Sequence, residues 1–177
     1  NKEAARLARI AADKVTLNEK QKPDGRWRLV AGAVGPTNRT ASVSPKVEDP
    51  AFRNVTFEEL VESYYEQIHG LIDGGAHIIF VETIFDTLNA KAAIYAYSKF
   101  FDENTHLKKL PLFLSGTIID AAGRTLSGQD TEAFFISMMN ADPFCIGFNC
   151  ALGATQMHPL LQTILSPQYL IMTVNLP

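Results

Sequence analysis

Glu82 closes an otherwise apolar run, HIIFVET, and Cys150 stands where another such run, PFCIGFN, gives way to the loop CALGA. A carboxylate at the end of a buried strand is costly unless something compensates its charge. A substrate ammonium group would do so, and so would a neighbouring backbone amide or basic side chain. A thiol at the carboxyl end of a strand sits where parallel α/β enzymes place functional groups, so Cys150 is a candidate nucleophile or metal ligand as well as a plain loop residue. Cys145 lies five residues earlier, between Phe144 and Ile146. Side chains alternate along a strand, so an odd separation sends the two cysteines to opposite faces, and they are not expected to chelate one metal together. Cys145 reads as a small buried hydrophobe. Ser115, Thr117, Asn149 and Asn38 also fall at or just beyond strand ends, where they would orient a polar ligand or serve as turn residues. The four histidines form no HxxxH or HxH pair, and two cysteines make no disulfide framework.

These residues need elements to hold them. Ala4, Leu7, Ala8, Ala11 and Ala12 recur at helical spacing and predict an opening helix from Asn1 to about Lys14. WRLVAGAVG (Trp27 to Gly35) is short, apolar and glycine-bounded, as expected of a strand buried on both faces. Pro36 to Val55 holds three prolines and no sustained period, a long loop of the kind that is functional or disordered. Thr56 and Glu59 have capping-box spacing, and Leu60, Tyr64, Ile68, Leu71 and Ile72 continue as an apolar stripe to the stop signal Gly74-Gly75. HIIFVET follows as a strand, and Asp86 and Thr87 open a helix through LNAKAAIYAYSKFF. LPLFLSG, a helix near Thr131 to Asn140, PFCIGFN, a helix ending near Leu165, and YLIMTVN complete the alternation. The pairs Tyr64-Tyr65 and Phe134-Phe135 read as core.

Five apolar strands alternating with helices predict an α/β fold with a parallel sheet covered by crossover helices. Doubly wound sheets and closed (β/α)8 barrels both satisfy the pattern, and both place chemistry at the carboxyl ends of the strands. The absence of a GxGxxG after the first strand and of a P-loop weakens a nucleotide-binding reading. With 46% apolar and 20% charged residues, the 177-residue chain has the composition of a soluble domain or part of one. A formal charge of −3, interspersed, offers no electrostatic reason to expect nucleic acid or an anionic membrane as partner. No run approaches the roughly 18 to 20 apolar residues of a membrane span, and the amino terminus lacks a signal-peptide core, so the expected location is cytoplasmic.

VAGAVGPTNRTASVSPKVEDPAFRNVTFEELVESYYEQ (Val30 to Gln67), FVETIFDTLNAKAA (Phe80 to Ala93), SGTIIDAAGRTLSGQDTEAF (Ser115 to Phe134) and GFNCALGA (Gly147 to Ala154) occur in that order. Together they resemble the homocysteine-binding (homocysteine S-methyltransferase) domain of cobalamin-dependent methionine synthase. The resemblance implies a (β/α)8 TIM barrel, of which residues 1–177 would be an incomplete portion, about strands three to seven, within a single homocysteine-binding domain. It implies that Cys150 binds zinc with two further cysteines of a Gly-Gly-Cys-Cys motif and that Glu82 meets the homocysteine amino group; Ser115 and Asn149, at strand ends, are the further residues expected to bind the substrate. The reaction implied is methyl transfer to the homocysteine thiol, activated as a zinc-bound thiolate, from methylcobalamin and ultimately from methyltetrahydrofolate. The partners implied are the folate- and cobalamin-binding modules of a parent chain.

The sequence departs from this pattern in three places. It contains no Gly-Gly-Cys-Cys and no amino-terminal glycine-rich strand, and it ends Asn175-Leu176-Pro177 where the family has Asn-Ala-Gly-Leu-Pro. One thiolate falls short of the three protein ligands usual at a catalytic zinc, so this chain alone is expected to be inactive. The competing expectations are a relative that uses another donor, such as betaine, and a truncated, non-catalytic product. The loop PTNRTASVSP favours the cobalamin-dependent kind.

Overall fold

In the computed structural model, residues 1–18, 26–120, 122–149 and 152–164 and the backbone of 170–174 are described. Their order is α1 (Lys2–Leu17), β1 (Ala31–Val34), α2 (Phe57–Asp73), β2 (Ile78–Ile84), α3 (Thr87–Glu103), β3 (Leu112–Thr117), α4 (Thr131–Met138) with a short 3-10 turn (Met139–Ala141), β4 (Cys145–Asn149), α5 (Ala154–Thr163) and β5 (Leu170–Val174). The five strands form one sheet in the order β1-β2-β3-β4-β5, and every pairing is parallel. A doubly wound sheet reverses its strand order at a switch point and carries helices on both faces. Here the order never reverses.

The helices lie on one face only. Val34, Ile79, Val81, Leu114, Ile146 and Phe148 are buried with Leu60, Tyr64, Ile68, Ala93, Tyr97 and Phe134 in one core. The opposite face carries Ala31 and Ala33, both exposed, and Phe80 and Phe113, both half-buried. Phe80 and Phe113 are register partners whose rings meet edge to face at 6.2 Å. Sequential parallel strands with helices outside and a second face inside describe a segment of a (β/α)8 barrel.

The capping box at α2 forms as its sequence predicts: Thr56 Oγ1 accepts from Glu59 N, and Glu59 Oε2 accepts from Thr56 N. Asp86 caps α3 by accepting from Leu88 N and Asn89 N. Two expectations need correction. The first strand spans only Ala31–Val34, and it alternates exposed and buried residues instead of being buried on both faces, because only its helix-facing side packs on α2. The opening helix runs to Leu17, and its buried residues are Ala5 and Thr16, while Leu7 and Ile10 are more than half exposed. The face follows from the close approach of α1 to the end of α2, where small side chains win over large ones. A Cβ on Gly74 would stand 2.4 Å from Lys2 O and 2.5 Å from the Ala5 Cβ. Gly74→Ala is therefore expected to push the two helices apart and to cost about 2 kcal/mol, read as a lower urea midpoint with an unchanged slope.

The irregular stretch between β1 and α2 is tied to the start of α3. Asp86 accepts from Ser42 N (2.9 Å) and Ser42 Oγ (2.6 Å). Asn89 accepts from Ala41 N (2.8 Å) and donates to Arg39 O (2.9 Å) and Thr37 Oγ1 (3.2 Å). Arg53 Nε closes the loop on itself by donating to Ala41 O. No helix among the described residues is long and apolar enough to cross a membrane.

Candidate functional site

The polar residues of the inner face gather at the carboxyl ends of β2, β3 and β4. Register sets which side chains share that face. Phe80 pairs with Phe113 and Val81 with Leu114, so Glu82 and Ser115 follow on the inner side, and Thr117 and Asn149 are partners one pleat further on. A regular ladder would next align Thr83 with Gly116. Instead Ile84 takes that position, so Glu82 and Thr83 together oppose Ser115. This is a β-bulge, a device that re-aims side chains beside functional sites. It also sends Ile84, 4% exposed, back into the helix-facing core.

Asn149 joins the three strand ends. Its Oδ1 accepts from Thr117 Oγ1 and its Nδ2 donates to Thr83 Oγ1, each at 2.9 Å. Ser115 is fully buried, and its Oγ has no hydrogen-bond partner among the described residues. A buried hydroxyl without a partner costs about 1–3 kcal/mol and is uncommon in a folded chain. Glu82 is half-buried, and no hydrogen bond or ion pair among the described residues engages its carboxylate. Beneath these groups the inner face is aromatic, with Phe80 and Phe113 as its floor. The arrangement offers a carboxylate and a hydroxyl above an apolar base, a chemistry suited to a small zwitterion with an apolar side chain.

Of the residues singled out from sequence, Glu82, Ser115, Thr117 and Asn149 therefore meet on one face. Asn38 does not join them: it is exposed in the loop after β1. Cys145 opens β4, is fully buried, and is a free thiol whose pKa burial pushes up, which suits its reading as a small hydrophobe. Cys150 and the closing Asn175-Leu176-Pro177 lie outside the described residues. Thr83 was not anticipated. No local pattern in HIIFVET distinguishes a bulge from a continuing strand, since threonine is a favourable strand residue. Among the described residues no group of three His, Cys, Asp or Glu side chains could hold a metal ion. With two cysteines in the whole sequence, these residues do not by themselves fit a catalytic zinc.

A cavity of about 10 Å³ lies between the loop and α3, lined by Gly35, Tyr64, Asp86 and Asn89 among others. It has room for a single water and none for an amino acid.

The family model for homocysteine S-methyltransferase matches residues 1–177. Among solved structures, the metallated form of the homocysteine methyltransferase MmuM from Escherichia coli superposes with a TM-score of 0.66 at 19% identity, covering 98% of this chain and 56% of that one. The apo form of the same enzyme gives 0.64 at 16% identity, covering 93% of this chain and 56% of that one. The oxidized form gives 0.61 at 16%, with coverages of 92% and 51%. The likeness fixes the fold as a partial (β/α)8 barrel, and the chain spans about half the length of the solved structures it matches.

Proposed function

Since the chain belongs to the homocysteine S-methyltransferase family, we propose that residues 1–177 are the homocysteine-binding part of a single barrel domain whose protein methylates the homocysteine thiol to form methionine. The observation that supports the reading is the juxtaposition of Glu82 with Ser115, neither of whose side chains has a hydrogen-bond or ion-pair partner among the described residues. An ammonium group on Glu82 would offset the cost of holding that carboxylate half out of water, and the same ligand would satisfy Ser115. Asn149 orients the substrate with the amide N–H that its two hydrogen bonds leave free. The homocysteine side chain would then lie over Phe80 and Phe113.

Cys150 contributes one thiolate to a zinc site whose other ligands come from outside these 177 residues. Bound zinc supplies a Lewis acid that keeps a coordinated thiol deprotonated near neutral pH. The residues present cannot complete that site by themselves. The methyl donor in this reading is methylcobalamin, recharged from methyltetrahydrofolate and carried by folate- and cobalamin-binding modules of the parent chain. The loop PTNRTASVSP supports this donor over betaine. In this reading the protein is cytoplasmic, and residues 1–177 alone do not turn over substrate.

The test measures zinc content and homocysteine affinity on this chain and on a version extended at both ends, each also as Cys150→Ala and Glu82→Gln. The extended form is expected to hold about one zinc and to lose it with Cys150→Ala. Glu82→Gln is expected to weaken homocysteine about tenfold or more while zinc content stays constant, the loss appropriate to one charge-assisted contact. Full zinc binding by the extended Cys150→Ala variant would sink the ligand assignment. Unchanged affinity in Glu82→Gln would sink the substrate site.

A further inference from the structure

Thr83 holds a backbone conformation that its side chain disfavours. Its φ is 56°, and among the described residues the one other non-glycine at positive φ is Asp142, in a turn. Aspartate tolerates the left-handed region, whereas a β-branched residue persists there only when its surroundings over-determine it. Two observations show what does so. Asn149, 1% exposed, donates to Thr83 Oγ1 while its own carbonyl is fixed by Thr117. Beyond the bulge, Ile84 is locked into the buried core in register with Gly116.

We propose that Thr83 is a positioning residue for the amino-acid site: the hydrogen-bond chain Thr117–Asn149–Thr83 holds the bulge, and the bulge aims the Glu82 carboxylate over Ser115. The proposal rests on the reading of Glu82 as the ammonium-binding group. Thr83 touches no reacting atom. It acts through the backbone of the residue beside it, which gains rigidity from a side chain two strands away.

The experiment compares homocysteine with 4-sulfanylbutanoate, the same molecule without its amino group, by calorimetry on the protein at its native length. The variants are Glu82→Gln, Thr83→Val, Thr83→Ser and the pair Glu82→Gln with Thr83→Val. Valine keeps the branched shape and removes the acceptor. Thr83→Val is expected to weaken homocysteine about tenfold, the scale of a sub-ångström misplacement of a binding group, and to leave the analogue unchanged. Thr83→Ser keeps the acceptor and binds as the parent does. On the Glu82→Gln background, Thr83→Val has no further effect, because two residues acting as one unit are not additive. Thr83→Gly, which adopts the left-handed conformation freely but lacks the hydroxyl, serves if valine prevents folding, and it too selectively loses affinity for homocysteine.

Equal loss for both ligands, or an additive pair, overturns the positioning role while leaving the Glu82 reading intact. Unchanged homocysteine affinity in Glu82→Gln removes that reading and the proposal with it.

Discussion

Phe134→Ala is expected to lower the stability of the fold by about 4 kcal/mol, the range for truncating a fully buried aromatic side chain. Phe134 is 0% exposed and joins α4 to the sheet at the level of the site. Its ring lies so close to Gly116 that a Cβ there would stand 2.8 Å from it, and it packs on Phe148 at a centroid separation of 5.6 Å. Gly116 and Phe148 flank Ser115 and Asn149 in the chain, so the cavity would open directly behind the polar cluster. A drop of roughly 8–16 °C in the thermal midpoint is expected for a chain of this size. A drop of less than a few degrees would mean that the neighbouring strands collapse into the space.

Asp86→Ala is expected to cost about 3 kcal/mol and, unlike Phe134→Ala, to free a defined surface segment. Asp86 is 2% exposed, and its carboxylate serves both the first turn of α3 and the loop at Ser42. Loss of an N-cap accounts for about 1 kcal/mol, and loss of the buried bonds to Ser42 for the remainder. Hydrogen exchange should report the difference: amides of Ala41 and Ser42 lose protection first, while those of β3 and β4 keep theirs. If exchange rises uniformly across the sheet, the loop is not separately anchored.

Much of the architecture was legible because it depends on neighbours in sequence. Thr56 and Glu59, three residues apart, specify the start of α2, and Asp86 specifies the start of α3. The apolar runs locate all five strands, and the polar residues Glu82, Ser115, Thr117 and Asn149 fall at the ends of three of them, as the sequence suggests. What was not legible depends on partners far along the chain. The buried face of α1 is chosen by Gly74, the residue that caps the end of the following helix. The stretch after β1 has no period of its own and is ordered by Asp86 and Asn89, more than 40 residues away. Thr83 looks like one more strand residue, and its conformation is set by Asn149, 66 residues later. The choice between a doubly wound sheet and a barrel segment likewise waited on spatial order, which periodicity does not encode.

The unbroken order of the strands also bears on how the chain reaches this structure. Among the described residues each strand pairs with its neighbours in sequence, so none of these ladders has to wait for a distant segment. Register partners such as Ala31 and Ile78, or Cys145 and Leu170, are joined through one intervening helix, so each closure is confined to a single strand–helix–strand unit. Within these residues, synthesis would release each of β2 to β5 after the strand that precedes it in the sheet.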